Sequence, residues 1–174
     1  MTTTITGATG VNNIKAATGA VLQVVSVNKT DAFSTSSQSF VDITGLTLSI
    51  TPTSTSSKIL VDVDYTGGSS GHASIRLVRD STPIYIGTGA TGIQVNVGMQ
   101  FASSGTLNHA YQLSKGTMKT LDSPSTTSAV TYKVQGGVPH HASYILYCNR
   151  VHHNENNAWI GYGASSITLT EIAG

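Results

Sequence analysis

The chain has 174 residues, the length of one domain or at most two small ones. Charged residues make up only 10% of it, against about 25% in ordinary domains, and the net charge is +1. A chain this close to neutral has no long-range field to attract nucleic acid or an anionic membrane. Its polar surface must consist mainly of 22 Ser, 25 Thr and 18 Gly residues, a composition typical of extracellular or virion-type β proteins.

Residues 1–19 are predicted to form an extended N-terminal arm. They are mostly Thr, Gly, Ala and Asn, and their isolated apolar residues follow neither the period of a strand nor that of a helix. Such a segment cannot fold alone, so we expect it to dock on another surface. We expect neither a signal peptide nor insertion into a membrane. The docking candidates are Thr4, Ile5, Val11 and Ile14.

Residues 20–174 are predicted to form one β domain. Apolar residues alternate with polar ones in short runs, which is the period of half-buried antiparallel strands. Turn residues separate the runs, and Asp80 and Asp122 are expected to make hydrogen bonds within such turns. About ten short strands at this spacing predict an antiparallel β-sandwich or jelly roll. The alternating runs cover residues 46–51, 59–65, 84–86, 93–101, 130–135 and 167–170.

Two runs, residues 20–27 and 143–147, break this alternation because they are apolar on both faces. A single-domain sandwich has one core, so the outer faces of its strands should be wet. We therefore expect these runs to contact another subunit of an oligomer. The alternative is that the arm or a loop covers them. The interface candidates are Val21, Leu22, Val24, Val25, Tyr144 and Tyr147.

The sequence offers no convincing catalytic pattern. Asp62 and Asp64 share one strand face, but two carboxylates are too few for calcium, and a polar outer face explains them equally well. A nucleophile elbow, a phosphate loop and a dinucleotide fingerprint are all missing from the sequence. The single cysteine, Cys148, excludes an intramolecular disulfide and is expected in the core. We expect a non-enzymatic protein without a cofactor or a resident metal.

Six segments, taken in order, carry a resemblance to a known family: residues 39–42, 46–52, 56–61, 76–84, 121–135 and 165–172. They resemble a β-sandwich module of tailed-phage structural proteins, notably phages of cyanobacteria and other aquatic hosts. The resemblance covers roughly residues 20–174. Proteins of this kind are similar to the tumour-necrosis-factor-like jelly roll, usually trimerise, and serve as fibre tips, head fibres or capsid decoration.

The histidine pairs and one tryptophan are the candidate ligand residues. Adjacent histidines on a strand point to opposite faces, so we expect His140 and His141, and His152 and His153, to be exposed loop residues. Two alternatives are a zinc or nickel site on the axis of a trimer and a packing of imidazoles that responds to pH. Trp159 is expected to pack in the core, with a sugar-stacking or protein-contact patch as the alternative.

Together, the composition and the resemblance predict a homotrimeric phage virion protein at the particle surface. The expected role is that of a capsid decoration or cement protein whose arm docks on the major capsid protein or on other virion subunits. The alternative is the tip of a head or tail fibre. In that role, loops carrying the histidine pairs and Trp159 would bind a host glycan or receptor.

Overall fold

The computed structural model describes residues 16–102 and 111–174, and these fold as an all-β structure, as predicted. The predicted docking residues Thr4, Ile5, Val11 and Ile14 lie outside the described residues. The strands are β1 (Val21–Lys29), β2 (Phe33–Thr35), β3 (Val41–Ile50), β4 (Lys58–Ser69), β5 (Ala73–Arg79), β6 (Thr82–Ile84), β7 (Met99–Phe101), β8 (Ser114–Asp122), β9 (Val130–Gly137), β10 (Leu146–Cys148) and β11 (Ser165–Ile172).

The strands form two sheets in which every pairing is antiparallel. The first sheet has the order β1-β11-β4-β8, with β10 and β2 continuing it beyond the end of β11. The second has the order β3-β9-β5, and β6 and β7 share the outer edge of β5. Strands from the beginning and the end of the domain therefore lie side by side, β1 beside β11 and β3 beside β9. This is the arrangement of a jelly roll.

The core lies between the two sheets, and β4 shows how the sequence builds it. Ile59, Val61, Val63 and Tyr65 are all fully buried and alternate with the partly exposed Leu60, Asp62 and Asp64. Burying an aliphatic side chain of this kind contributes about 1.5–3 kcal/mol. The Tyr65 hydroxyl is also paired, since it donates to the Tyr147 carbonyl oxygen at 2.9 Å. The predicted alternation over residues 59–65 is thus confirmed.

The edge of β4 is shared by two strands that are far apart in the chain. Its first half pairs with β11, and its last three residues pair with β10. Asn149 follows β10 and bridges the gap, because its amide N–H donates to the Thr66 carbonyl oxygen at 2.8 Å. Ser165 begins β11 on the other side, and its Oγ accepts a 2.9 Å bond from the Thr66 amide.

The Asn149 side chain extends this junction to β1 and to the connection between β1 and β2. Its Nδ2 donates to the carbonyl oxygens of Lys29 and Asp31, at 2.8 and 3.0 Å, and its Oδ1 accepts from Ser165 Oγ at 2.6 Å. The residue is fully buried and has a φ of 61°, a left-handed conformation that asparagine tolerates better than most residues. One side chain, placed directly after β10, therefore ties β1 and the β1–β2 connection to β11.

Asp80 and Asp122 both bond across strands, and only Asp80 bonds to an amide. Asp80 Oδ1 accepts from the Thr131 amide of β9, at 2.9 Å. Asp122 instead accepts from Arg79 Nη1 at 2.8 Å and from the Tyr132 hydroxyl at 2.6 Å, so it ties β8 of one sheet to β5 and β9 of the other. The expected turn role of Asp122 is replaced by a link between the sheets.

The strand predicted over residues 93–101 is the main error in the fold. Only Met99–Phe101 form a strand there, and residues 85–98 form a loop. β7 pairs with the first residues of β5, and β6 already pairs with the last ones. The alternating residues 93–98 therefore have no free edge of β5 on which to form a strand. Ile93 is accordingly 100% exposed.

The junction should be sensitive to loss of its side chain. Asn149→Ala leaves two carbonyl oxygens and the Ser165 hydroxyl without this partner, so we expect the free energy of unfolding to fall by about 2–4 kcal/mol. We expect Asn149→Gly to lose nearly as much stability, because glycine relieves the strain of the positive φ but restores no hydrogen bond. Urea unfolding measures both changes. The exposed Asn28→Ala should change stability by less than about 0.5 kcal/mol. An Asn149→Ala protein as stable as the wild type would contradict the role of the junction.

Candidate functional surfaces

One end of the first sheet carries an open apolar face. Val24, Thr170, Leu60 and Leu121 stand directly opposite one another across β1, β11, β4 and β8. Val24 is 57% exposed and Leu121 is 49% exposed. The face is completed by Val21, which is 61% exposed, and by half-buried Ile172. We call the residues Val21, Val24, Leu60, Leu121 and Ile172 the apolar face.

The predicted interface residues on β1 divide between this face and the core. Val21 and Val24 belong to the apolar face, and Leu22 is half-buried at an irregularity in the pairing of β1 with β11. Val25 packs against the core. Leu121 was missed as a face residue because only the register, which sets it opposite Leu60, reveals its position.

The next rows of the same outer surface are polar. Lys119 Nζ lies 2.5 Å from Asp62 Oδ2, and Lys115 Nζ lies 2.7 Å from Asp64 Oδ2. The hydrogen bond from Lys115 is the main reason why the pKa of Asp64 lies below its ordinary value. Each carboxylate thus has its own lysine, which agrees with the polar outer face expected for these two residues.

The remaining interface candidates, Tyr144 and Tyr147, are covered by their own chain. Tyr147 is 3% exposed. The Arg150 guanidinium lies 4.3 Å from the centre of its ring, and its hydroxyl lies 2.7 Å from His152 Nδ1. Tyr144 is half-buried and packs against the core. For Tyr147 the covering element is the loop of residues 149–164, so this residue offers little surface to a partner.

The loop of residues 149–164 carries the second histidine pair as a stacked cluster. The rings of His152 and His153 lie 5.2 Å apart, and Tyr111 stacks on His153 at 4.6 Å. Glu155 Oε1 lies 3.3 Å from His153 Nδ1. Burial, followed by the neighbouring His153 and Arg150, holds the pKa of His152 below its ordinary value. Both histidines are half-buried, so they are less exposed than predicted. The stacking on Tyr111 joins residues too distant in sequence for any local pattern to predict.

Trp159 lies outside the core, contrary to the expectation from the sequence. It is 65% exposed on the same loop, and Tyr162 is 58% exposed. The Tyr162 hydroxyl donates to Asn154 Oδ1, and its backbone forms a bridge with Arg150. The glycines on both sides of Tyr162 left too little apolar sequence to bury the indole. This exposure favours the alternative prediction, a sugar-stacking or protein-contact patch.

The first histidine pair gathers around Tyr144 at the turn between β4 and β5. The ring centres of His72 and His140 lie 6.0 Å from that of Tyr144, and the ring centre of His141 lies 5.6 Å from it. The tyrosine ring lies against Gly71, where an added Cβ would come within 2.3 Å of it. His140 and His141 are exposed, as predicted. Among the described residues, no three His, Cys, Asp or Glu side chains are grouped to hold a metal ion.

These surfaces lie toward opposite ends of the sandwich. The apolar face adjoins the chain ends, where Gly19 donates to the Ala173 carbonyl oxygen and Ala173 donates to that of Ala20, both at 2.8 Å. The turn between β4 and β5 lies at the other end, and we call it, with the cluster of His72, His140 and His141, the histidine-rich turn. Loop 149–164 leaves the sheet between β10 and β11. In the part of the chain that the structure describes, no helix is long and apolar enough to cross a membrane. Compared with known proteins, the chain matches no protein-family model and no curated sequence.

The environment of His152 predicts how it titrates. Its imidazole resonances in an NMR titration should have a midpoint below 6.5, the ordinary histidine value. Because the folded pKa is lowered, the neutral ring contributes stability that is present above pH 6.5 and is lost as the pH falls through the folded pKa. Replacing it by His152→Gln should therefore flatten this part of the stability profile. A midpoint at or above the ordinary value would refute the described packing.

Proposed function

We propose that this chain is a non-enzymatic structural protein of a phage virion, a homotrimer that decorates the capsid and is anchored through its N-terminal arm. The observation that carries the proposal is the arrangement of the two ends. Residues 16–20 enter the sandwich beside the C terminus and next to the apolar face, whereas the histidine-rich turn lies at the opposite end. Assembly contacts and a surface exposed to the medium are thereby separated.

The apolar face supports self-assembly. Three of its members, Val21, Val24 and Leu121, are large hydrophobic residues exposed to 49–61% in the single chain. Val24 and Leu121 lie in one cross-strand row, with Thr170 and Leu60 between them. Exposed apolar patches on soluble proteins mark interaction surfaces. The trimeric state and the virion setting follow from the resemblance described above, which the jelly-roll strand order supports at the level of fold.

Anchoring through the arm follows from its composition and its point of attachment. An arm rich in Thr and Gly makes weak backbone contacts, and three arms on one trimer multiply such contacts through avidity. Gly19 and Ala20 are fixed to Ala173, so each arm starts from a defined point beside the apolar face. Many weak contacts spread over neighbouring subunits suit a protein that cements a shell.

A second candidate function is that of a receptor-binding tip on a head or tail fibre. The exposed Trp159 and Tyr162 favour it, because aromatic side chains amid small polar residues are typical of contact surfaces for glycans or proteins. Both residues lie on loop 149–164, away from the chain ends. The decoration role differs in requiring many copies on the shell.

The assembly role of the apolar face can be tested with a charge. Val24→Asp should dissociate the trimer, because a carboxylate in an apolar interface is left unpaired. Asn28→Asp is the matched control, since Asn28 is exposed on the same strand and the same side. Sedimentation equilibrium of the two variants measures the state of assembly. A trimeric Val24→Asp protein, or a wild type that is monomeric at micromolar concentration, would contradict the proposal.

The anchoring role can be tested by removing residues 2–15. This deletion keeps residues 16–20 and their bonds to Ala173, so the protein should still fold and trimerise. We expect it to lose co-sedimentation with particles that lack the protein, whereas Trp159→Ala should still bind them. The opposite pattern, with normal incorporation and Trp159→Ala failing to bind host cells, would favour the fibre tip. Copy number per virion, compared with the major shell protein, separates the two roles independently.

A further inference from the structure

The long loop between β6 and β7 forms one wall of a groove at the end of the sandwich opposite Gly19 and Ala173. The groove has a volume of about 860 Å³ and runs between this loop and the segment around Pro139 and His140. That volume is within the range of small-molecule binding sites. The loop covers residues 85–98, and loops longer than about 12 residues in compact domains are usually functional or disordered.

The loop is ordered by its own amide side chains. Asn96 Oδ1 accepts from the Ala90 amide at 3.0 Å, and Gln94 Oε1 accepts from the Thr91 amide at 3.0 Å. The Gly98 amide in turn bonds to the Ile75 carbonyl oxygen of β5 at 3.0 Å. Since both amide oxygens are occupied by the loop, the NH₂ groups of Asn96 and Gln94 remain as donors. Among the described residues, neither NH₂ group has a protein acceptor.

The other wall of the groove is built from rings. His72 and His140 meet edge to face with their centres 5.6 Å apart, and the ring of Tyr144 supports both from behind at 6.0 Å. Apolar surface comes from Val95, Val97 and Pro139. No Asp, Glu, Lys or Arg belongs to the described lining of the groove. It therefore offers amide donors, imidazoles and apolar surface without a fixed charge.

We infer that this groove binds a neutral saccharide. Sugar hydroxyl oxygens accept from NH₂ donors such as those of Asn96 and Gln94, and the C–H faces of a pyranose ring pack on rings and aliphatic side chains. An anionic ligand would find no lysine or arginine in the described lining. An extended peptide that added a strand would have to pair with β6 or β7, which cover the edge of β5 and have only 3 residues each.

This binding site adds to the proposed function and does not depend on how the protein is anchored. It is separate from Trp159, which does not line the groove. A decoration protein and a fibre tip would each present this end to the medium. The groove can therefore be tested on the purified full-length chain without any particle.

The experiment is an NMR titration that follows the side-chain amide signals of Asn96 and Gln94. The probes are three neutral trisaccharides built from glucose, galactose and N-acetylglucosamine, each used up to about 10 mM, ten times a millimolar dissociation constant. We expect at least one probe to shift both signals. Asn96→Asp keeps the oxygen that accepts from Ala90 but removes the donor, so it should weaken binding about tenfold.

Asn28→Asp, the same chemical change on an exposed strand far from the groove, should leave binding unchanged. Gln94→Glu provides a second donor deletion if Asn96→Asp does not fold, which thermal unfolding reports. Shifts confined to the Trp159 indole signal would place saccharide binding on loop 149–164 and overturn the inference. No shift with any trisaccharide would overturn it as well, as would shifts produced only by an uncharged tripeptide.

Discussion

The shared edge of β4 is the constraint on which the rest of the molecule depends. One strand pairs with β11 over its first half and with β10 at its end, so the chain must leave the sheet and return to it between these two partners. The buried Asn149 satisfies the backbone groups that this interruption would leave unpaired. An unpaired buried polar group costs about 1–3 kcal/mol. The Asn149 side chain therefore stabilises both the sandwich and loop 149–164, the segment that leaves the sheet and returns to it.

The interruption also divides the outer surface of the first sheet. Toward the chain ends the surface is open and apolar, and past Asn149 the returning loop covers it, with Arg150 and His152 on Tyr147. The large apolar side chains of this surface therefore have two different environments. One part is covered by the chain itself, and the other, around Val24 and Leu121, is exposed in the single chain.

The sequence predicted the class, the jelly roll and most core strands because period-two alternation is a local signal. It could not place Trp159, whose exposure depends on the path of its own loop, residues 149–164. It also predicted a strand at residues 93–97, where the alternation is real but no free strand edge is available. The apolar face was half predicted: the Val21 and Val24 run is visible in sequence, whereas Leu121 needs the register. The amide donors of the groove depend on loop geometry that no spacing encodes.

The stem of loop 149–164 is closed on itself before the loop begins. The Gly163 amide donates to the Asn149 carbonyl oxygen at 3.0 Å, and Arg150 forms a β-bridge with Tyr162. These contacts fix the two ends of the segment of residues 151–161 close together. Within this segment, residues 154–161 are mostly exposed and should tolerate insertion and replacement, whereas Val151 is buried and His152 bonds Tyr147. The jelly roll is therefore suited to diversify at this position over evolution, and an engineer could graft a foreign peptide there with little effect on the fold.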